Sequence, residues 1–248
     1  MSQSVTEWGR KAADLYATDY ARRYRQHDEE LGHVDAYLAF CGWLRDVCGR
    51  FRRPIDALDL GCGTGRYFAA LQNVNALVGL DASGPMLAEA ANPVGADQIT
   101  AKTIRLVEGD ALTQQFPAGS FDLVYSIGVL AEHTPFDPRI VDNVAAWLRP
   151  GGRFAFTTVH PDSSSIPKTA GRTLGHAVFP LSPAPLRKWL HARLTADGQY
   201  ADEALIVERL GSRFAVESMT RLESEAHLHC LCVAQKAGGA GQAGWAGR

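Results

Sequence analysis

Between Ile55 and Val159 short apolar runs alternate with stretches of helix length, and this alternation limits what the chain can fold into. The runs are Ile55 to Leu60, Ala76 to Leu80, Thr103 to Val107, Phe121 to Ile127 and Arg153 to Val159. Helices fit between them at Arg66 to Gln72, Pro85 to Ala91 and Arg139 to Leu148. Strands separated by helices form βαβ units and a parallel sheet, because right-handed crossovers carry each helix onto a sheet face. Two further strand-like runs, Arg213 to Leu222 and His227 to Ala234, are joined only by Glu223-Ser224-Glu225-Ala226. That link is too short for a crossover helix, so the pair is expected to be an antiparallel hairpin. The expected fold class is α/β: a doubly wound, seven-stranded sheet, mostly parallel with an antiparallel terminal hairpin, and helices on both faces.

Residues 1–53 read as helical. Tyr16, Tyr20 and Tyr24 recur every four residues and are expected to share a helix face. A second helix carries the stripe Tyr37, Phe40, Cys41, Leu44, Val47, Cys48 and Phe51, and Pro54 stops it. This N-terminal part is expected to be a helical lid within the same domain, with residues 54–236 as the domain proper. Pro161, Pro167, Pro180, Pro183 and Pro185 break the stretch 160–212, where a short helix is expected over Leu186 to Leu194. A long irregular insertion in a compact domain is usually functional or disordered; following the fifth strand, it is expected to shape a substrate pocket. Residues 237–248 (AGGAGQAGWAGR) hold too little apolar surface to order themselves and read as a disordered tail.

A net charge of −2 carries no basic face of the kind nucleic-acid binding usually needs, so no nucleic-acid partner is expected. The local clusters Arg22-Arg23-Tyr24-Arg25 and Arg50-Phe51-Arg52-Arg53 read as solvated helix ends. The five cysteines are odd in number and contain no Cys-x-x-Cys pair, which fits a reducing cytoplasm better than a disulfide framework. No run approaches the ~20 apolar residues of a membrane span, and the N-terminus lacks signal-peptide form, so a cytoplasmic, soluble chain with no membrane partner is expected. His227-Leu228-His229 and Cys230 could look like metal ligands, but strand alternation splits them between two faces, and no metal is expected. The sequence leaves the oligomeric state open between monomer and homodimer.

The central motif is Leu58-Asp59-Leu60-Gly61-Cys62-Gly63-Thr64-Gly65-Arg66-Tyr67, where a buried strand meets a glycine-rich turn. Glycines are needed where φ is positive or a ligand approaches closely. A helix expected to start just beyond offers unpaired N–H groups to an anion. The dinucleotide fingerprint places its third glycine one residue later, at the position held here by Arg66, and the phosphate-loop signature is absent. The turn is therefore poorly suited to NAD or ATP.

Asp59 to Gly65 resembles the first motif of the class I S-adenosylmethionine (SAM)-dependent methyltransferases, whose sheet is Rossmann-like. The resemblance implies that Gly61, Cys62, Gly63 and Gly65 lie against the methionine part of SAM, with Asp59 holding its ammonium. Asp81, in Val78-Gly79-Leu80-Asp81-Ala82-Ser83, matches the acidic residue that accepts the ribose hydroxyls, with Ala82 beside it. Met86 matches the adenine-packing position, and Asp110-Ala111, in Glu108-Gly109-Asp110-Ala111-Leu112, the adenine-binding pair. Phe121 to Ser126 resembles the fourth strand, with Ser126 at its ligand end, and Leu148 to Phe154 the turn into the fifth. The resemblance implies SAM as cofactor, S-adenosylhomocysteine (SAH) as product, and Tyr20 and Tyr24 as lid contacts.

Methyl transfer from a sulfonium is an in-line displacement that depends on positioning. A general base helps when the acceptor is a hydroxyl or a protonated amine. His133, in Gly128-Val129-Leu130-Ala131-Glu132-His133-Thr134-Pro135, is the first candidate, and His160, ending the fifth strand, the second. A small-molecule acceptor, methylated on O or N, is expected. Ser126-Ile127-Gly128-Val129 stands where enzymes acting on exocyclic base amines carry Asn/Asp-Pro-Pro-aromatic, which disfavours a nucleic-acid acceptor. A methyltransferase acting on RNA or protein, and a non-catalytic SAM-binding module, are the alternatives.

Overall fold

Seven strands form one sheet in the order β3-β2-β1-β4-β5-β7-β6. The structure, a computed structural model, describes residues 6–132, 134, 136–164, 200–225 and 227–238. The strands are β1 (Ile55–Leu60), β2 (Val74–Asp81), β3 (Thr103–Glu108), β4 (Phe121–Ser126), β5 (Leu148–Val159), β6 (Phe214–Glu223) and β7 (Leu228–Lys236). Strands β1 to β5 pair in parallel, and β7 runs antiparallel between β5 and β6. The sheet and its terminal hairpin are those expected from the alternation of runs.

Successive side chains of a strand point to opposite faces, so an apolar run buries both. Leu58 and Leu60 of β1 enter one core with Val124, Phe154 and Phe156. Helices α5 (Pro138–Trp147) and α6 (Glu203–Leu210) cover that face, through residues such as Ile140, Val144, Leu205 and Ile206. Ile55 and Ala57 enter the other core with Leu123 and Tyr125, beneath Cys41, Leu44, Val47 and Cys48 of α3 (Asp35–Gly49). Before α3 come α1 (Glu7–Leu15) and α2 (Thr18–Glu30); α4 (Gly84–Ala90) follows β2. No described helix is long and apolar enough to cross a membrane.

Three expectations need correction. No α-helix spans Arg66 to Gln72; the chain makes only one 3-10 turn, Phe68–Ala70. Strand β2 starts at Val74, and Asn73 at φ 58° redirects the chain into it, which leaves too little length for a helix. Tyr16 does not share a helix with Tyr20 and Tyr24, because it lies in the turn between α1 and α2. The end of the proline-rich stretch is not irregular: Asp202 accepts from Leu205 N at 2.8 Å and caps α6. Residues 165–199, with the helix expected over Leu186 to Leu194, and 239–248 of the tail lie outside the described residues.

In open α/β sheets ligands bind beyond the carboxyl ends of the strands, where the strand order reverses. Here the order reverses between β1 and β4.

Candidate functional site

A cavity of about 930 Å³, counting its open mouth, sits at that switch point. Asp59 comes from β1, Gly61, Cys62, Gly63 and Thr64 from the turn after it, and Leu80, Asp81, Ala82 and Met86 from β2 and α4. Asp110 and Ala111 follow β3, and Ile127, Gly128, Val129 and Thr134 follow β4. Gly9, Tyr16 and Tyr24 close it from the N-terminal side.

The glycines divide the work of the turn. Gly61 N and Cys62 N donate to Leu80 O at 2.7 and 3.0 Å, tying the tips of β1 and β2 together. At Gly61 φ is +81°, and an added Cβ would lie 2.5 Å from Val129 Cγ2. Gly63, at φ +54°, has open space where a Cβ would stand, so its bare Cα faces the cavity. Gly65 does not line the cavity: an added Cβ would lie 2.8 Å from the Phe68 ring, so this glycine serves packing.

Three carboxyls surround the turn. Asp59 is 3% exposed, paired in register with Tyr125 of β4. Burial pushes its carboxyl up to about 8, aided by Asp81 and opposed by the Tyr125 hydroxyl. That hydroxyl is itself buried without a partner at hydrogen-bonding geometry. Asp81 Oδ2 accepts from Gly63 N at 2.8 Å, and Oδ1 from Ser83 N at 2.9 Å. Its carboxyl is raised because burial outweighs these backbone donors. Asp110 Oδ1 accepts from Leu112 N at 2.8 Å; Oδ2 accepts from Thr6 N at 2.9 Å and from the Thr6 hydroxyl. Burial holds the Cys62 thiol well above its usual range, so it acts as a neutral wall residue.

Helix α2 is clasped to the turn by a network that sequence reasoning missed. Buried Asp28 accepts from the Thr64 hydroxyl and from Arg66 Nε at 2.6 Å, and the Arg66 guanidinium lies 4.2 Å from the Tyr24 ring centre. Ser83 Oγ donates to Tyr16 O at 2.7 Å and fastens the turn between α1 and α2. Asp28 stands in the polar run Gln26-His27-Asp28-Glu29-Glu30, where nothing marks it for burial. Tyr16 carried a signal in its four-residue spacing from Tyr20.

Several expected residues do not reach the cavity. Tyr20 is 37% exposed and stacks on Tyr24. Ser126 is buried, and its hydroxyl donates to Leu60 O at 2.7 Å. His133 lies outside the described residues. His160 is buried off the cavity, its Nδ1 accepting from Asp162 N at 3.0 Å and its Nε2 3.4 Å from Glu203 Oε2. His160, Glu203 and Cys230 form the one group of metal-type donors among the described residues. Arg221 grips the Glu203 carboxylate at 2.5 and 3.0 Å and holds it down to about 2, while burial raises the Cys230 thiol to about 12. A carboxylate already paired with a guanidinium is a poor metal ligand.

The methyltransferase domain family matches residues 58–156. The chain is 31% identical to a malonyl-[acyl-carrier protein] O-methyltransferase of Enterobacter lignolyticus, over 84% of this chain and 77% of that protein. It is 36% identical to a probable chloroplastic tocopherol O-methyltransferase of Oryza sativa over 52% of this chain. The chain spans 35% of that protein's length, and 41% and 36% of two further curated relatives. In fold it is similar to a magnesium protoporphyrin IX methyltransferase of Synechocystis PCC 6803 with bound SAH, at TM-score 0.63 and 18% identity, covering 93% of this chain and all of that one. With a glycine turn between three carboxyls at the switch point of such a sheet, and a relative matched over most of both lengths, the chain belongs to the class I SAM-dependent methyltransferases.

Proposed function

We propose that this chain transfers the methyl group of SAM to an oxygen or nitrogen of a small-molecule acceptor. The observation that carries the proposal is the convergence of Asp59, Asp81 and Asp110 on one cavity around the Gly61–Gly63 turn. SAM offers an ammonium for Asp59, a ribose diol for Asp81 and an adenine amine for Asp110, with Ala82, Met86 and Ala111 against the rings. Each carboxylate oxygen has more than one lone pair, so Asp81 and Asp110 accept ligand hydrogens beside their backbone donors. The methionine carboxylate would lie along the turn backbone, and no phosphate needs room.

Acceptor chemistry is supported by the relatives, which are named for tocopherol, nocamycin and malonyl-[acyl-carrier protein]. The acceptor would approach past the loop after β4, across Gly128 and Val129. Five buried, unbridged cysteines support a reducing, cytoplasmic location. Calorimetry with SAM and SAH tests the cofactor site. Mass spectrometry of small phenols, carboxylic acids and amines, incubated with enzyme and SAM, then tests transfer by the mass gain of one methylene. Tight binding of SAM with methylation of RNA or protein, and of no small molecule, would overturn the acceptor class.

A further inference from the structure

The loop after β4 has a conformation that calls for a cause. Gly128 and Ala131 have φ of 70° and 59°. Ala131 carries a side chain and is fully buried, and a left-handed non-glycine residue is strained and persists only where its surroundings hold it in place. They do fix it. Ala131 N donates to Thr134 O at 2.7 Å, Thr134 N to Val129 O at 2.9 Å, and Gly128 N to Thr157 Oγ1 at 3.0 Å. Such outliers persist where the rest of the structure over-determines them, and they cluster at active sites.

The residue that this turn presents is Glu132. Its neighbours Gly128, Val129 and Thr134 all line the cavity. A Cβ added at Gly128 would lie 4.0 Å from Glu132 Oε2, so the carboxyl stands directly behind a glycine that lines the cavity. Tyr16 and Tyr24 face it from the N-terminal side, and its charge raises both phenols. None of the proposed SAM contacts uses this carboxyl, and it stands on the side from which the acceptor approaches.

We propose that Glu132 takes the proton of the acceptor during methyl transfer. The inference rests on the methyltransferase reading above. As the acceptor X–H attacks, the X–C bond forms and the C–S bond breaks, with its electron pair going to sulfur. The sulfonium becomes the neutral thioether of SAH, and the X–H proton passes to Glu132. Burial pushes its carboxyl up to about 7, which suits a base working near neutrality. Among the described residues, the titratable groups its charge acts on are the Tyr16 and Tyr24 hydroxyls; Asp81 acts on Tyr16 as well, and Arg66 lies over the Tyr24 ring.

Two measurements test this. In the first, the Glu132 side-chain carboxyl carbon is followed by ¹³C NMR across pH in the SAH and SAM complexes of the whole protein, with Glu132→Gln giving the assignment. A sulfonium near this carboxyl should lower its titration midpoint relative to the neutral sulfur of SAH. An unmoved midpoint overturns the placement, whatever the acceptor. In the second, Glu132→Gln and His133→Gln are assayed on any acceptor found by mass spectrometry. Glu132→Gln should lower kcat by about 10²-fold or more and remove the low-pH limb of the profile, while calorimetric SAM affinity changes less than about threefold (about 0.65 kcal/mol). Glu132→Asp should recover part of kcat. Loss of the limb in His133→Gln with its retention in Glu132→Gln overturns the proposal. A midpoint that moves in a protein that methylates no small molecule leaves Glu132 at the methyl and refutes the acceptor class instead.

Discussion

The fully buried Asp59 makes cofactor binding a proton-release reaction. Its carboxyl is pushed up to about 8, far above the usual carboxylate range, chiefly because burial disfavours the charged form. At pH 7 a group of that pKa is about nine-tenths protonated, so the unliganded protein holds Asp59 neutral. When the SAM ammonium arrives, the opposite charge favours the carboxylate, and the proton must leave. Binding at pH 7 should then release about 0.9 proton, and affinity should rise by nearly tenfold per pH unit between about pH 5.5 and 7. The sign is the reverse for folding. The raised pKa makes the neutral form the one that folds well, so the unliganded protein loses stability as pH climbs from the unfolded value towards about 8. At about 1.4 kcal/mol per unit, the loss is on the order of 5 kcal/mol across that window. Calorimetry at pH 7 in phosphate and in Tris, whose ionisation enthalpies differ widely, gives the proton count from the difference in apparent enthalpy. Asp59→Asn should abolish the release and flatten the stability profile. A wild-type count near zero would refute the pairing of a neutral resting Asp59 with an ammonium contact that ionises it.

Other substitutions probe the rest of the site. Asp28→Ala leaves the largely buried Arg66 guanidinium without its carboxylate and should cost about 3–5 kcal/mol in urea unfolding, with weaker SAM binding as α2 detaches. Gly61→Ala and Gly63→Ala both place a Cβ at positive φ, costing about 1–2 kcal/mol each. Only the first meets protein, at Val129, so it should show the larger fall in thermal midpoint. The second should spare more stability and still lose SAM affinity, because its methyl projects into the cavity. His160→Ala should lower stability through the turn to Asp162 while SAM affinity stays within about threefold, as calorimetry will check.

How much of this could be read beforehand differs between the sheet and the site. Strand β1 was legible to the residue, because a buried parallel strand is a plain apolar run ending in a glycine turn. The hairpin was legible because four residues cannot cross a sheet. Helix α6 was not, since its signals, Asp202 and the Leu205, Ile206 and Leu210 stripe, sit at the end of a proline-rich stretch. The missing helix after Gly65 has the opposite cause: a helical pattern without enough chain before β2. In the site, motif order located Asp59, Asp81, Asp110 and Met86, whose places depend on strand ends. It did not locate Asp28 or Glu132. The burial of Asp28 and the half-burial of Glu132 come from tertiary contacts, a helix folding back in one case and a strained loop in the other, and neither leaves a local pattern.

Asp81 joins two properties that experiments usually separate. Its Oδ2 holds the Gly63 amide, and the same carboxyl is the one proposed to meet the ribose. The Gly63 amide is thus tied to the end of β2 by the protein's own side chain, so the glycine turn does not depend on a ligand for its shape. A mutational scan would therefore overstate how much Asp81 contributes to ligand recognition, since its removal also releases that tie. Adenosine analogues lacking one ribose hydroxyl, bound to the unaltered protein, would measure the recognition alone.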